Sequence, residues 1–202
     1  GLILYEEVGG IEPELESLTA LTVDTEDRVY IAGKDAVVVT DLEGKELRRI
    51  GLPATPRSLA VASGGDVIVG YRNTLRRYAA DGSQKNRFKE IPPGTIIASV
   101  AAGYGVVFAT DAYHRQILKF NMGGTLIGRF TGPQGTEDGP HFIVPSENFD
   151  VLVEKAESLW VVNPGRHTLE LYDFNGNMRT SWQRQSMRLE DFCGCCNPTD
   201  IA

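Results

Sequence analysis

Four short stretches decide the fold: Asp41-Leu42-Glu43-Gly44-Lys45, Ala80-Asp81-Gly82-Ser83, Asn121-Met122-Gly123-Gly124-Thr125 and Asp173-Phe174-Asn175-Gly176-Asn177. Each lies between two runs of strand character and reads as a tight hairpin turn. Asp-Gly and Asn-Gly steps supply the positive φ that two-residue hairpin loops need. The turn glycines Gly44, Gly82, Gly124 and Gly176 are spaced by 38, 42 and 52 residues.

Working outward from each turn, four runs recur in every unit. They cover 20–24, 29–32, 36–40 and 47–50, then 58–62, 67–70, 74–78 and 86–88. The third unit has 98–101, 106–109, 117–120 and 126–130, and the fourth has 149–153, 159–162, 169–172 and 178–182. A repeat of roughly 40–45 residues with four strands is the pattern of β-propeller blades, none of which buries its own faces alone. The second run of each unit is almost unbroken apolar, as a strand covered on both faces must be. The third and outer runs alternate, as in Leu118-Lys119-Phe120 and Leu169-Glu170-Leu171, which predicts charged residues nearer solvent. No sustained 3.6-residue period appears, so helix should be scarce. The expected fold is an all-β propeller of four-stranded blades at 18–51, 57–89, 97–131 and 148–183, six-bladed when intact. Residues 1–9 read as an outer strand that closes the ring, and 197–202 as the start of a fifth blade.

The formal charge of −7 argues against sequence-independent binding of nucleic acid, which needs clustered cations. Arg179, Arg184 and Arg188 form one small basic edge, read as solvated surface. No run of residues approaches the length of a membrane-spanning helix, and no secretory leader is visible.

The loop between second and third strands carries a family resemblance. Asp111-Ala112-Tyr113-His114-Arg115-Gln116-Ile117-Leu118-Lys119-Phe120 resembles the NHL repeat at Asp111, Ile117 and Phe120. His114, Arg115 and Gln116 stand where that pattern has Asn, His and Arg. In the fourth unit, Asn163-Pro164-Gly165-Arg166-His167-Thr168-Leu169-Glu170-Leu171-Tyr172 resembles it at Gly165, His167, Leu169 and Tyr172. The first two units have shortened loops. The resemblance implies a six-bladed propeller and leaves the chemistry open, since NHL-like propellers include lyases, metal-dependent lactonases and binders of RNA or protein. Phe192-Cys193-Gly194-Cys195-Cys196-Asn197-Pro198 is similar to a segment of exported or membrane-anchored bacterial NHL proteins, which implies an extracytoplasmic setting.

All three cysteines, Cys193, Cys195 and Cys196, fall within four positions. They form a disulfide or a pair of buried thiols, bind a metal ion that would be the protein's cofactor, or do redox chemistry. A tetrahedral metal site would need further ligands from His141, His167 or a residue beyond Ala202. Asp111, His114, Asn163, Arg166 and His167 lie on loops that face one end of a propeller channel and are the candidate ligand-binding set. The competing role for Asp111, His114 and Asn163 is to tie their own loops by side-chain hydrogen bonds. The insertion 131–146 reads as a long surface loop whose Glu137, Asp138 and His141 are solvated, and the resemblance to propeller lactonases implies axial metal ligands at inner-strand entries, where Asn148, Asp150 and Asn197 lie. No nucleophile motif, phosphate loop or carboxylate pair is evident. The expected function is a non-enzymatic scaffold that binds another protein or a membrane-complex subunit. The alternative is a metal- or redox-dependent protein that uses the cysteines.

Overall fold

The computed structural model describes residues 9–132, 141–155, 157–183 and 201. Among the described residues sixteen strands form four antiparallel sheets, each a simple meander of four consecutive strands. The inner strands are β1 (Ala20–Val23), β5 (Ser58–Val61), β9 (Ile97–Gly103) and β13 (Val151–Glu154). The second strands are β2 (Val29–Ala32), β6 (Val67–Gly70), β10 (Val106–Asp111) and β14 (Ser158–Asn163). The third are β3 (Ala36–Thr40), β7 (Leu75–Tyr78), β11 (Gln116–Asn121) and β15 (Thr168–Asp173). The outer strands are β4 (Glu46–Gly51), β8 (Gln84–Arg87), β12 (Leu126–Phe130) and β16 (Met178–Gln183). A single 3-10 turn, Pro164–Arg166, is the only helical segment among the described residues.

The inner strands pack in succession, β1 on β5, β5 on β9 and β9 on β13, so the four sheets radiate from one side. Three apolar clusters fill the three junctions between successive sheets. Tyr30, Val37, Ile50, Val69 and Tyr71 fill the first, and Ile68, Leu75, Phe88, Leu118 and Phe120 the second. Phe108, Phe130, Phe142, Phe149 and Tyr172 fill the third. The two middle sheets thus lend one face to each neighbour, which is why β6 is buried at every position, whereas Val29 and Ile31 of β2 turn away from the second sheet and lie beside Ile11, Pro13 and Leu18. The flank of the first sheet that no described sheet covers leaves Leu18 61%, Leu21 65% and Val23 52% exposed.

The hairpins differ from the two-residue loops expected. Gly44, Gly82, Gly124 and Gly176 have φ between 83° and 86°, while the residue before each stays at negative φ. The register shifts by one residue at each of these turns. These are three-residue loops closed by a glycine bulge, a shape that needs one left-handed residue rather than two. Three of these glycines also touch the outer-strand segment of the preceding sheet. A Cβ on Gly82 would meet Ile50, on Gly124 Phe88, and on Gly176 Phe130. At Gly44 the same place is held by Ile11.

Two further readings need correction. The alternation in β15 puts Glu170, not its leucine neighbours, inside: Thr168, Glu170 and Tyr172 are buried, and Leu169 and Leu171 half-buried. The third sheet covers the Tyr172 face of this strand and no described sheet covers the other, and alternation alone does not tell which of the two faces a neighbour will cover. The insertion before the fourth sheet is not wholly a surface loop either, since Phe142 and Val144 are buried against Phe130, Phe149 and Tyr172.

Candidate functional site

The loops from second to third strands and the lead-ins to the inner strands share one end of the sheets, here the loop rim. The glycine hairpins lie at the opposite end. On the third sheet the loop rim is organised by Asp111, which is fully buried. Its carboxylate accepts from Thr95 Oγ1 at 3.0 Å, Gln116 Nε2 at 2.9 Å and the backbone N–H of Ile96 at 3.2 Å. The N–H groups of Tyr113 and His114 also point to it at 3.2 and 3.3 Å, and His114 Nδ1 lies 2.6 Å away. Burial pushes this carboxyl group upward, but the bonds from Gln116, His114 and Ile96 outweigh that and hold it below the usual aspartate value.

Asn163 does the same task on the fourth sheet. Its Oδ1 accepts the N–H of Ile143 at 3.0 Å, as Asp111 accepts that of Ile96. The return bonds also correspond: Ala112 N–H donates to Ile96 O at 2.8 Å, and Gly165 N–H to Ile143 O at 2.7 Å. Pro164 follows Asn163 directly and has no N–H, so the donor moves one residue on, to Gly165. The approach is close enough that a Cβ on Gly165 would lie 2.6 Å from Ile143 O. Asn163 Nδ2 donates to Glu170 Oε1 at 2.9 Å. That buried carboxyl group also accepts from Thr168 Oγ1 at 3.0 Å and from Tyr172 OH at 2.5 Å. Burial and the Glu170 contact push the Tyr172 hydroxyl far above the ordinary tyrosine value, so it remains a donor.

Contacts between sheets complete the rim. Thr110 Oγ1 donates to Phe149 O at 2.6 Å, and Ser99 Oγ donates to Asp150. Asp150 also receives the N–H of Ile201 at 2.7 Å. Glu147 crosses from the lead-in of the fourth sheet to the second, where it pairs with Arg57 and with Arg72, the latter at 3.1 Å. The bond to Arg57 and the charge of both arginines hold the Glu147 carboxyl group below its usual range.

The sequence-derived candidates therefore part company. Asp111 and His114 meet in one hydrogen-bonded loop, and Asn163 belongs to a separate hub on the next sheet. Arg166 closes the 3-10 turn, its carbonyl accepting from Gln183 Nε2 at 3.2 Å, and His167 caps that turn at φ 55°. His141 is exposed, with Nδ1 3.2 Å from Thr131 Oγ1. Asn148 is exposed, whereas Asp150 is buried. Among the described residues no three His, Cys, Asp or Glu side chains converge as metal ligands. Cys193, Cys195, Cys196, Arg184, Arg188, Glu137, Asp138 and Asn197 lie outside the described residues, as do 1–8 and 197–200. Sequence reasoning missed Glu170, Thr95 and Glu147. The two-residue spacing of Thr168, Glu170 and Tyr172 was a usable sign that they share a face.

What the rim exposes differs from what it buries. Tyr113 is 64% exposed at the tip of the Asp111 loop, edge-to-face with His114 at 4.8 Å and packed on Gly94. Arg115 beside it is exposed at φ 55°, and Ile143 is 44% exposed.

Among solved structures, virginiamycin B lyase from Staphylococcus aureus superposes with a TM-score of 0.62 at 17% identity, over 82% of this chain and 55% of that one. The fold is a β-propeller. The WD40 repeats of RRP9 match with a TM-score of 0.61 at 16% identity, over 85% of this chain and 52% of theirs. A catalytically inactive histidine-to-alanine variant of the same lyase, with quinupristin, matches at 0.64 and 14% over 85% and 57%. At these identities the likeness is one of fold, shared by a lyase and a WD40 protein. The chain spans about half the length of these structures. No protein-family model and no curated protein sequence matches it.

Proposed function

We propose that this chain is a non-enzymatic propeller scaffold of the NHL-repeat kind, which docks another protein on its loop rim in an extracytoplasmic setting. The observation that carries the reading is Tyr113, 64% exposed on a loop held from below by six contacts to one buried carboxylate. A large, amphipathic side chain on a rigid support loses little entropy on binding, and such residues dominate docking energies. Of the residues that looked like a ligand set, Asp111 and Asn163 are buried as fasteners and His114 bonds to Asp111. That leaves Tyr113, Arg115 and Ile143 as the outward face. The NHL assignment rests on the Asp111 to Phe120 and Asn163 to Tyr172 motifs, and the extracytoplasmic setting on the 192–198 segment.

A photo-crosslinking residue placed at position 113, in the cells that make the protein, should give one discrete protein adduct. A control at Leu42, 61% exposed on an opposite-end hairpin, should not. Tyr113→Ala should then weaken the captured partner about tenfold or more, the loss expected of an interface anchor. Equal adducts at both positions would sink the proposal.

A further inference from the structure

The charge of this protein is unevenly placed. Residues 57–89, the second blade, hold seven Lys and Arg against two Asp, a local charge of +5 in a chain of −7. The remainder therefore carries −12. Outer strands commonly bear a cation that blocks edge-to-edge pairing. That need does not account for this blade, because the other outer strands manage with less. β12 has Arg129 alone, β16 has Arg179 alone, and β4 offsets Arg48 and Arg49 with Glu46.

Some of the excess is neutralised inside. Asp66 is buried and pairs with Arg77 and with Lys85, the latter at 3.0 Å. Arg87 and Lys89 are different. Both are exposed, and neither has a carboxylate partner among the described residues; Arg87 Nε donates only to Thr74 Oγ1 at 3.0 Å. They line a groove of about 410 Å³ with Asn73, Thr74 and Ile91. Glu90 also lines it and forms no ion pair with either cation among the described residues, so the lining keeps a net charge of +1. The groove runs beside β8, whose outer edge pairs with no strand among the described residues. Such an edge offers backbone N–H and C=O groups to an extended peptide.

We propose that this groove and the β8 edge form a docking site for an extended acidic segment of a partner protein, its carboxylates on Arg87 and Lys89. The proposal rests on the scaffold reading and names a second contact surface for it. Charge complementarity selects the occupant: a few carboxylates match a patch one blade wide. A nucleic acid fits less well. The blade's aromatics Tyr71, Tyr78 and Phe88 are all buried, so no base-stacking platform exists there, and the −12 elsewhere repels a long polyanion.

The test is fluorescence anisotropy at low ionic strength with a labelled peptide of about ten residues alternating glutamate and serine. Arg87→Gln with Lys89→Gln should weaken binding about tenfold or more, with an unchanged thermal melt because both side chains are exposed. The charge-matched control Lys34→Gln with Arg129→Gln should stay within about twofold of the unaltered protein. Equal weakening in both pairs, no binding by the unaltered protein, or tighter binding of an oligonucleotide of equal charge would each overturn the proposal. A discrete adduct at position 113 together with no peptide binding by the unaltered protein would show that the groove proposal failed while the rim reading stood.

Discussion

Replacing Glu170 with alanine is expected to be among the most damaging single changes in the protein, at about 3–5 kcal/mol. The carboxyl group holds Tyr172 OH, Thr168 Oγ1 and Asn163 Nδ2, and all three residues are buried. Alanine leaves three donors unmatched where water has no access, and each unmatched donor costs about 1–3 kcal/mol. The effect reaches the rim, because Asn163 also fixes the N–H of Ile143. In a chain of this length each kcal/mol moves the melting temperature by about 2–4 °C, so a fall of roughly 10 °C follows. Thermal unfolding followed by circular dichroism measures it. Glu170→Gln keeps one acceptor for Asn163 and Thr168, so it should lose about half as much. An alanine variant within about 0.5 kcal/mol of the unaltered protein would refute the hub.

Asp111→Asn should cost about 2–3 kcal/mol at neutral pH, and the gap should close in acid. The sign follows from the direction of the shift. Despite its burial, the donors on Asp111 hold its folded pKa below the ordinary aspartate value. The stability this provides is complete above the unfolded value and is lost as pH falls through the folded one. The asparagine variant has no proton to take up at that position. Urea midpoints at pH 6 and near pH 2.5 should therefore differ by much less at the lower pH. A gap equal at both values would show that the carboxylate's charge is not what holds the loop. Asp24 and Asp66, likewise held low by arginine and lysine contacts against the push of burial, add to the common acid sensitivity of both proteins.

Local chemistry made the blades legible. Period-two runs and glycine turns are written within a few residues of each other, and β2, β3, β6 and β12 occupy the positions that the runs indicate. Asp111 was legible as a loop fastener because short acidic side chains bond to nearby backbone. Glu170 was not, because alternation says which residues share a face but not which face a neighbouring blade will cover. Phe142 and Val144 were hidden by the glycine and proline around them, although their own two-residue spacing marked a buried edge. The pairing of Glu147 with Arg57, 90 residues away, has no local signature at all. The basic second blade was present in the sequence but averaged away by the net charge of −7.

Hydrogen exchange at single-residue resolution reaches the heart of the account, which is that buried fasteners make the loop rim rigid enough to present Tyr113. The amides of Ile96, Ala112, Ile143 and Gly165 should exchange as slowly as those of β10 and β14, because each is held in a reciprocal bond beneath the rim. Exchange of those four amides at the rate of an unstructured peptide, with the strands still protected, would contradict it.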